Sequence, residues 1–279
     1  WFIYWGFFLK VFVADNMARI VGIVFDQSGQ IPGVEVVLGS YAFAFQIFGD
    51  FAGYSFIAMG AARLLGFDLM TNFLFPYFVT NPRDFWRQWH ISLSSWLRDY
   101  VYIPLGGNRN GELKTYGNLL LTMFLGGLWH GAAWTFGIWG TFHGAMLFCH
   151  KLYAAFFKVN HEAKDARILF VFKVIGMFHL TCLGWLIFRA NSLQQLKDML
   201  CSLVFNLGAH SDKAIYLAAQ IVFYAWFLLA IQIIQKYKNN LMAIPALRWC
   251  LPWFFYGLMY YLMIFWGEFG GQEFIYFQF

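Results

Sequence analysis

A histidine in the middle of an apolar stretch is the residue of this sequence best suited to chemistry. His130 lies in the segment Gly126-Gly127-Leu128-Trp129-His130-Gly131. Ionisable groups are costly inside a membrane, so such a residue is a functional candidate by default. An unperturbed imidazole titrates near about pH 6.5, and burial disfavours its charged form, which suits it to act as a general base. The alternative is a neutral histidine that is hydrogen-bonded to a carbonyl within a helix bundle.

Four further polar residues in apolar surroundings are weaker candidates. His90 lies at the edge of an aromatic-rich segment, where a packed amphipathic-helix residue and a catalyst are both plausible. His143 leaves the same two alternatives open. Asp50 and Arg63 share one apolar segment. They form either an intramembrane pair facing a cavity or the solvated ends of a tilted helix.

Signatures of metal sites and serine hydrolases do not occur in the sequence. It has no HxxxH pair, no Cys/His cluster and no GxSxG motif. The four cysteines lack CxxC spacing, so we expect free thiols and no metal. A glycine-rich turn with Arg109 could hold phosphates through its amides, but a juxtamembrane basic loop explains it better.

The composition predicts that lipid surrounds most of the chain. Of its 279 residues, 61% are hydrophobic and 12% are charged, whereas soluble domains have about 45–50% and about 25%. No soluble domain of this size can bury so much apolar surface. The composition therefore excludes a disordered chain, a collagen-like rod, a disulfide-stapled secreted domain and an ordinary cytosolic enzyme. We attribute the net charge of +5 to membrane topology and not to nucleic-acid binding.

Six apolar segments are candidates for membrane-crossing helices, which need about 20 residues each. They cover residues 1–13, 41–65, 119–157, 168–188, 215–234 and 249–266. The third is too long for one crossing and contains glycines, which predicts two short helices or a re-entrant break. The basic residues in 235–248 place that loop in the cytoplasm, and the base-free tail after Arg248 then faces the opposite side.

An interfacial helix is predicted to begin near residue 81. Asn81 is the expected N-cap, Pro82 the first helical residue, and Asp84 an acceptor for free amides. At about 100° per residue, one face collects apolar side chains, namely Phe85, Trp86, Trp89, Leu93, Trp96, Leu97 and Tyr100. We expect this helix to lie along the cytoplasmic membrane surface and to end before Pro104.

Three motifs in this chain occur together in one enzyme superfamily. They are Asn81-Pro-Arg-Asp-Phe-Trp-Arg-Gln-Trp-His90-Ile-Ser-Leu-Ser, Trp96-Leu-Arg-Asp-Tyr-Val-Tyr-Ile-Pro-Leu-Gly-Gly-Asn-Arg109 and Gly127-Leu-Trp-His130-Gly. With them the chain resembles the membrane-bound O-acyltransferase (MBOAT) superfamily, and within it the bacterial branch that contains the alginate O-acetylation membrane protein. The segment from Gln46 to Ser55 and the closing residues 274–279 also match. Phe56 departs from the pattern, because an acidic residue is expected there.

The resemblance implies an all-α, polytopic membrane protein, with an MBOAT-like helical bundle in which interfacial and re-entrant helices surround a central tunnel. Residues 1–279 are then a single membrane-embedded acyltransferase domain, and we expect the natural protein to have further N-terminal helices. The implied location is the bacterial inner (cytoplasmic) membrane, with several crossings and an extracytoplasmic C-terminus. The implied activity is an O-acetyltransferase that takes acetyl from a cytoplasmic donor, acetyl-CoA, and passes it across the membrane to a cell-surface polysaccharide such as alginate.

The resemblance also implies roles for three residues. The family's catalytic base corresponds to His130, and its second near-invariant polar residue corresponds to His90. In related systems a C-terminal tyrosine carries the acyl group onward, which implies that role for Tyr276. The other interpretation of Tyr276 is an aromatic belt that anchors the last helix. We expect acetyl-CoA to be a substrate and no cofactor or nucleic acid to bind, while an extracytoplasmic SGNH-type acetyltransferase passes the group to the polysaccharide.

Two alternatives remain open from the sequence. The first keeps the chemistry and changes the product, either to O-acetylated peptidoglycan or to teichoic acid that carries D-alanine. The second is a polytopic transporter or channel whose histidines and aspartates line a polar pathway. Inverted repeats would favour a transporter, and none are visible in the sequence.

Overall fold

The computed structural model describes residues 1–27, 29–157, 167–270 and 274, and every regular element in these ranges is helical. The α-helices are α1 (Phe2–Phe8), α2 (Asp15–Phe25), α3 (Gly33–Leu64), α4 (Pro82–Trp86), α5 (Ile91–Leu97), α6 (Glu112–Leu128), α7 (Trp134–Phe156), α8 (Arg167–Arg189), α9 (Leu193–Phe205), α10 (Ala214–Lys238) and α11 (Leu251–Trp266). Two short π-helices cover Leu9–Ala14 and Arg98–Tyr102, and a 3-10 turn covers Pro76–Phe78. Within the described ranges α3, α8 and α10 are long and apolar enough to cross a membrane, which confirms the predicted all-α membrane protein.

The chain divides into two compact units. The first unit consists of Trp1–Thr71 and Lys197–Phe279, and the second unit is Asn72–Leu196. Both leading histidine candidates, His90 and His130, lie in the second unit.

The first unit is built around α3. A Cβ atom on Gly6 would lie 2.6 Å from the carbonyl oxygen of Gly53, so the backbones of α1 and α3 approach too closely for any side chain there. Helical structure continues from Phe2 to Phe25 through the intervening π-helix, well beyond the apolar segment predicted to end at residue 13. Two charged residues of this stretch, Lys10 and Asp15, pair with each other at 2.9 Å and do not interrupt the helical structure.

Of the two alternatives left open for Asp50 and Arg63 of α3, the structure does not support a pair between them. The Asp50 carboxylate accepts a hydrogen bond from Lys10 Nζ at 2.7 Å, while Arg63 Nε lies 3.2 Å from the exposed carboxylate of Asp68. The two residues are 13 positions apart on one helix. Their partners come from other parts of the first unit, so spacing along α3 does not reveal them.

In the second unit, α6 and α7 form a tightly packed hairpin. A Cβ atom on Gly127 would overlap the carbonyl oxygen of Phe136 and lie 3.1 Å from the Cα of Gly140. The two helices are separated by residues 129–133, which confirms the predicted break in the apolar stretch 119–157. The break contains His130 and follows the glycine pair.

The helix predicted from Asn81 begins as expected but is not continuous. The Asn81 side chain accepts a hydrogen bond from the backbone amide of Asp84 at 2.9 Å, and Pro82 is the first helical residue. The helix then stops at Trp86 and resumes at Ile91, because His90 adopts the left-handed conformation with φ 42° and ψ 57°. Much of the predicted apolar face remains buried, as Phe85, Trp89, Leu93 and Leu97 show, whereas Trp96 and Tyr100 are exposed.

Candidate active site

His130 is positioned by the turn that joins α6 to α7. Its backbone amide donates to the carbonyl oxygen of Gly127 at 3.0 Å, which closes the last turn of α6. The next residue, Gly131, has φ 156°, and a Cβ atom there would lie 2.7 Å from the Phe136 ring. The turn therefore requires glycine after the histidine and holds the imidazole in one direction.

Aromatic rings surround the imidazole of His130, which is only 9% exposed. The rings of Trp139 and Phe188 stand nearly perpendicular to it, with centroids 5.3 Å and 5.2 Å away. Trp129 contributes a third perpendicular ring at 5.1 Å. These rings come from the turn, from α7 and from α8, and they provide a low-dielectric environment in which a neutral imidazole is favoured over a charged one.

His90 lies at the junction of α4 and α5. Its left-handed backbone conformation is stabilised by Asn72, a residue remote in sequence, which accepts hydrogen bonds from the first amides of α5. The carbonyl oxygen of Asn72 accepts from Ile91 N at 3.0 Å, and its side-chain oxygen accepts from Ser92 N at 3.2 Å. The Ser92 hydroxyl lies 3.4 Å from His90 Nδ1, and the Phe73 ring stacks on the imidazole at 6.4 Å. The ring of His90 therefore has a defined orientation.

The two histidines, 40 positions apart in sequence, come close enough in the fold to interact. The Trp129 ring contacts both imidazoles. Its centroid lies 6.3 Å from that of His90 and 5.1 Å from that of His130. Burial lowers the pKa of His90 to about 3, and the proximity of a charge on His130 lowers it further. His90 is therefore neutral at physiological pH.

A third histidine, His143, lies on α7 beside this pair and is completely buried. Its ring packs against Trp139 at 4.8 Å and Trp86 at 5.1 Å. Neither of its ring nitrogens has a hydrogen-bond partner within the described ranges, and the same holds for the indole nitrogens of Trp86 and Trp139. A Cβ atom on Gly184 would lie 2.9 Å from His143 Nε2, so α8 packs directly on this imidazole. The sequence indicated His143 as a candidate but gave no signal for the two tryptophans.

Two other predictions concern Tyr276 and metal binding. Tyr276 lies outside the described residues, although Phe274 of the same motif is described. Within the described part of the chain, no group of three or more His, Cys, Asp or Glu side chains could hold a metal ion. The described residues thus bring together two neighbouring, buried imidazoles that are enclosed by aromatic rings.

Comparisons with known proteins give a consistent picture. The family model described as membrane-bound O-acyltransferase matches residues 1–192. The protein named "Probable alginate O-acetylase AlgI" in Azotobacter vinelandii is 44% identical over 203 residues, which cover 73% of this chain and 39% of that protein. Its namesake in Pseudomonas aeruginosa is 46% identical over 189 residues, which cover 68% of this chain and 35% of that protein.

A third relative has a different substrate in its name. The protein named "Peptidoglycan O-acetyltransferase" in Helicobacter pylori is 39% identical over 199 residues, which cover 71% of this chain and 37% of that protein. The chain spans well under half the length of each of these relatives.

Proposed function

Since the chain belongs to the membrane-bound O-acyltransferase family, we propose that it forms the catalytic part of a membrane O-acetyltransferase that uses cytoplasmic acetyl-CoA and serves a cell-surface polysaccharide such as alginate. The observation that carries this proposal is the pair of buried imidazoles, His130 and His90, that the second unit brings together. The similarity to the alginate O-acetylases supports the choice of acetyl group and polymer.

In the proposed reaction His130 is the general base. Its neutral imidazole accepts the proton of an attacking hydroxyl while the hydroxyl oxygen forms a bond to the carbonyl carbon of the acetyl thioester. The carbon–sulfur bond then breaks, and the departing thiolate takes the proton back from the imidazolium. The base returns to its neutral state, and the acetyl group has moved from sulfur to oxygen.

His90 has a supporting role in this proposal. Because it is neutral, it does not oppose the positive charge that His130 carries during the reaction. A charged His90 would destabilise that imidazolium and raise the barrier. The Ser92 hydroxyl, 3.4 Å from His90 Nδ1, helps to orient this ring.

We assign the attacking hydroxyl to Tyr276. Tyr276 carries a hydroxyl in the segment after α11, and the charge pattern of the loops supports an extracytoplasmic side for this segment. The acetylated tyrosine would then pass its group to an extracytoplasmic SGNH-type acetyltransferase, which delivers it to the polysaccharide. In this scheme the protein lies in the bacterial inner membrane and moves an acyl group, not a whole molecule, across it.

The role of His130 as general base is tested by an acyl-transfer assay with radiolabelled acetyl-CoA on membranes that contain the full-length protein. Replacement His130→Ala is expected to reduce acetyl transfer by about 10²–10⁴-fold, the usual contribution of a positioned base. His179→Ala is the matched control, because His179 is an exposed histidine of α8. Full transfer in the His130→Ala protein, at an equal amount of folded protein, would refute the proposal.

The carrier role is tested separately by mass spectrometry of the C-terminal peptide after labelled donor is supplied. Wild type is expected to carry one acetyl group on this peptide, and Tyr276→Phe none, because phenylalanine keeps the ring and lacks the nucleophile. Normal acetylation of polymer by the Tyr276→Phe variant would show that the acyl group takes another route.

The same measurements separate the alternatives. Labelling from a D-alanyl donor in place of acetyl-CoA would indicate the teichoic-acid chemistry, and labelled peptidoglycan in place of alginate would indicate the acceptor of the Helicobacter relative. A transporter would show solute uptake in the His130→Ala protein with no acyl transfer in wild type.

A further inference from the structure

A buried ionic cluster in the first unit has no part in the chemistry proposed for the second unit. Lys10 Nζ lies 2.7 Å from Asp50 Oδ1 and 2.9 Å from Asp15 Oδ1, and all three residues are at most 8% exposed. Buried charges are costly unless they are paired, and a lysine held by two carboxylates in apolar surroundings is a functional candidate for that reason. Its remaining contacts indicate what it binds.

The π-helix that carries Lys10 also holds the C-terminal segment of the chain. Insertion of an extra residue per turn frees backbone groups from the helical pattern, and such segments occur often at functional sites. Here the carbonyl oxygen of Val11 accepts a hydrogen bond from the amide of Glu268 at 3.0 Å. One turn further, Asn16 Nδ2 donates to the carbonyl oxygen of Trp266 at 2.8 Å. The end of α11 and the residues after it are therefore fixed to this part of the first unit.

The ammonium group of Lys10 meets the aromatic ring of Phe274. Lys10 Nζ lies 4.6 Å from the ring centroid, within the range of a cation–π interaction. Tyr54 of α3 contacts the same ring edge to face, with centroids 5.2 Å apart. Phe274 is thus held by a cation and by a second aromatic ring, which together select an aromatic side chain over an aliphatic one.

We propose that Lys10 and Tyr54, with Asp15 and Asp50 orienting the lysine, form a docking site for Phe274 that positions Tyr276 for acyl transfer. This inference rests on the proposed carrier role of Tyr276. Phe274 is two positions before Tyr276 in the sequence, so a site that binds Phe274 acts on the segment that carries the proposed nucleophile. In this scheme Lys10 and Tyr54 are positioning residues that act on the reaction only through the tail.

The positioning effect is tested in the full-length protein by acetyl labelling of the C-terminal peptide. Phe274→Leu keeps apolar volume but removes the π face, and it is expected to lower the labelling rate at least tenfold at unchanged KM for acetyl-CoA. Phe274→Trp restores an aromatic face and is expected to recover most of the rate. Phe269→Leu is the matched control in the same tail, because Phe269 is 66% exposed, and it should remain within twofold of wild type.

The docking itself is tested without catalysis, by hydrogen–deuterium exchange of the C-terminal peptide. Phe274→Leu and Tyr54→Ala are expected to increase its exchange, while Phe269→Leu leaves the exchange unchanged. Unchanged exchange in the first two variants would overturn the docking site, and increased exchange with normal labelling would overturn its positioning role. If the wild-type peptide takes up no acetyl group but the variants still increase its exchange, the carrier function is wrong and the docking site stands.

Discussion

At the scale of single residues, the site depends on two imidazoles whose surroundings keep them neutral. His130 is enclosed by aromatic rings, and His90 is held in a backbone conformation that most side chains avoid. The left-handed backbone of His90 is unfavourable in free energy, so other contacts must compensate for it. Asn72 does so by accepting hydrogen bonds from the amides of the two residues that follow His90.

The left-handed conformation of His90 leads to a prediction about which replacements the fold accepts. His90→Asn retains a residue that tolerates this region, whereas His90→Val introduces a β-branched side chain that does not. The valine variant is expected to be less stable than the asparagine variant by about 1–2 kcal/mol. Thermal unfolding in detergent measures the difference, and equal midpoints would show that the conformation is not required.

The lowered pKa of His90 predicts that the free energy of unfolding decreases as the pH decreases. The folded form binds a proton near pH 3, and the unfolded form binds one near about pH 6.5. Between these values the unfolded state holds more protons, so the stability conferred above about pH 6.5 is lost as pH decreases. From pH 7 to pH 5 this single group accounts for about 2 kcal/mol.

The contribution of His90 to this pH dependence is isolated by comparison with His90→Asn, which cannot titrate. Unfolding free energies of both proteins at pH 7 and pH 5 are expected to show the larger decrease in wild type. The remaining decrease in the variant reports the other buried histidines. Equal decreases would mean that His90 is protonated as readily in the folded protein as in the unfolded chain.

At the scale of elements, two interruptions of helical structure bring the histidines into position. The break between α6 and α7 carries His130, and the break between α4 and α5 carries His90. The first was expected, because an apolar stretch of 39 residues that contains glycines is too long for one crossing. The second was not expected, since the apolar periodicity runs through it without a gap.

The α6–α7 hairpin requires a glycine where the helices are closest. A Cβ atom added by Gly127→Ala would overlap backbone atoms of α7, and the expected loss of stability is about 1–3 kcal/mol. Gly117→Ala on the same helix is the matched control, because nothing lies within 4 Å of a Cβ atom there. That variant is expected to gain up to about 1 kcal/mol from helix propensity.

Thermal unfolding of the two alanine variants tests this hairpin. A lower midpoint for Gly127→Ala and an equal or higher one for Gly117→Ala is the expected pattern. Similar shifts in both variants would indicate that the glycines act through helix propensity alone and that the close approach is not needed.

At the scale of the whole molecule, α3, α8 and α10 of the described ranges are long and apolar enough to cross a membrane, and the loop charges predict an orientation. Loop 235–248 carries basic residues and no acid, while the tail beyond it has acidic residues and no base. The proposed scheme of acyl transfer depends on this asymmetry, because it assigns the donor and the final acceptor to opposite sides of the membrane.

The orientation predicts different accessibility of two introduced cysteines. In a variant whose native cysteines are replaced by serine, Phe269→Cys is expected to react with a membrane-impermeant maleimide while the inner membrane is intact. Asn240→Cys is expected to react only after lysis. Both positions are exposed in the fold, so burial does not explain a difference. The reverse pattern would place the tail on the donor side.

The sequence by itself determined the lipid environment, the helical class, the family and the identity of His130 and His90 as candidates, because composition and local motifs are properties of contiguous residues. The start of α4 at Asn81 and the break before α7 belong to the same group, since capping and chain length act locally.

Only the tertiary structure decided the rest. Lys10 pairs with Asp50 across 40 positions, and the left-handed His90 depends on Asn72. The rings that enclose His130 come from three separate segments of the second unit. Such contacts follow from the rotation and register of packed helices, and no local pattern in the sequence encodes them.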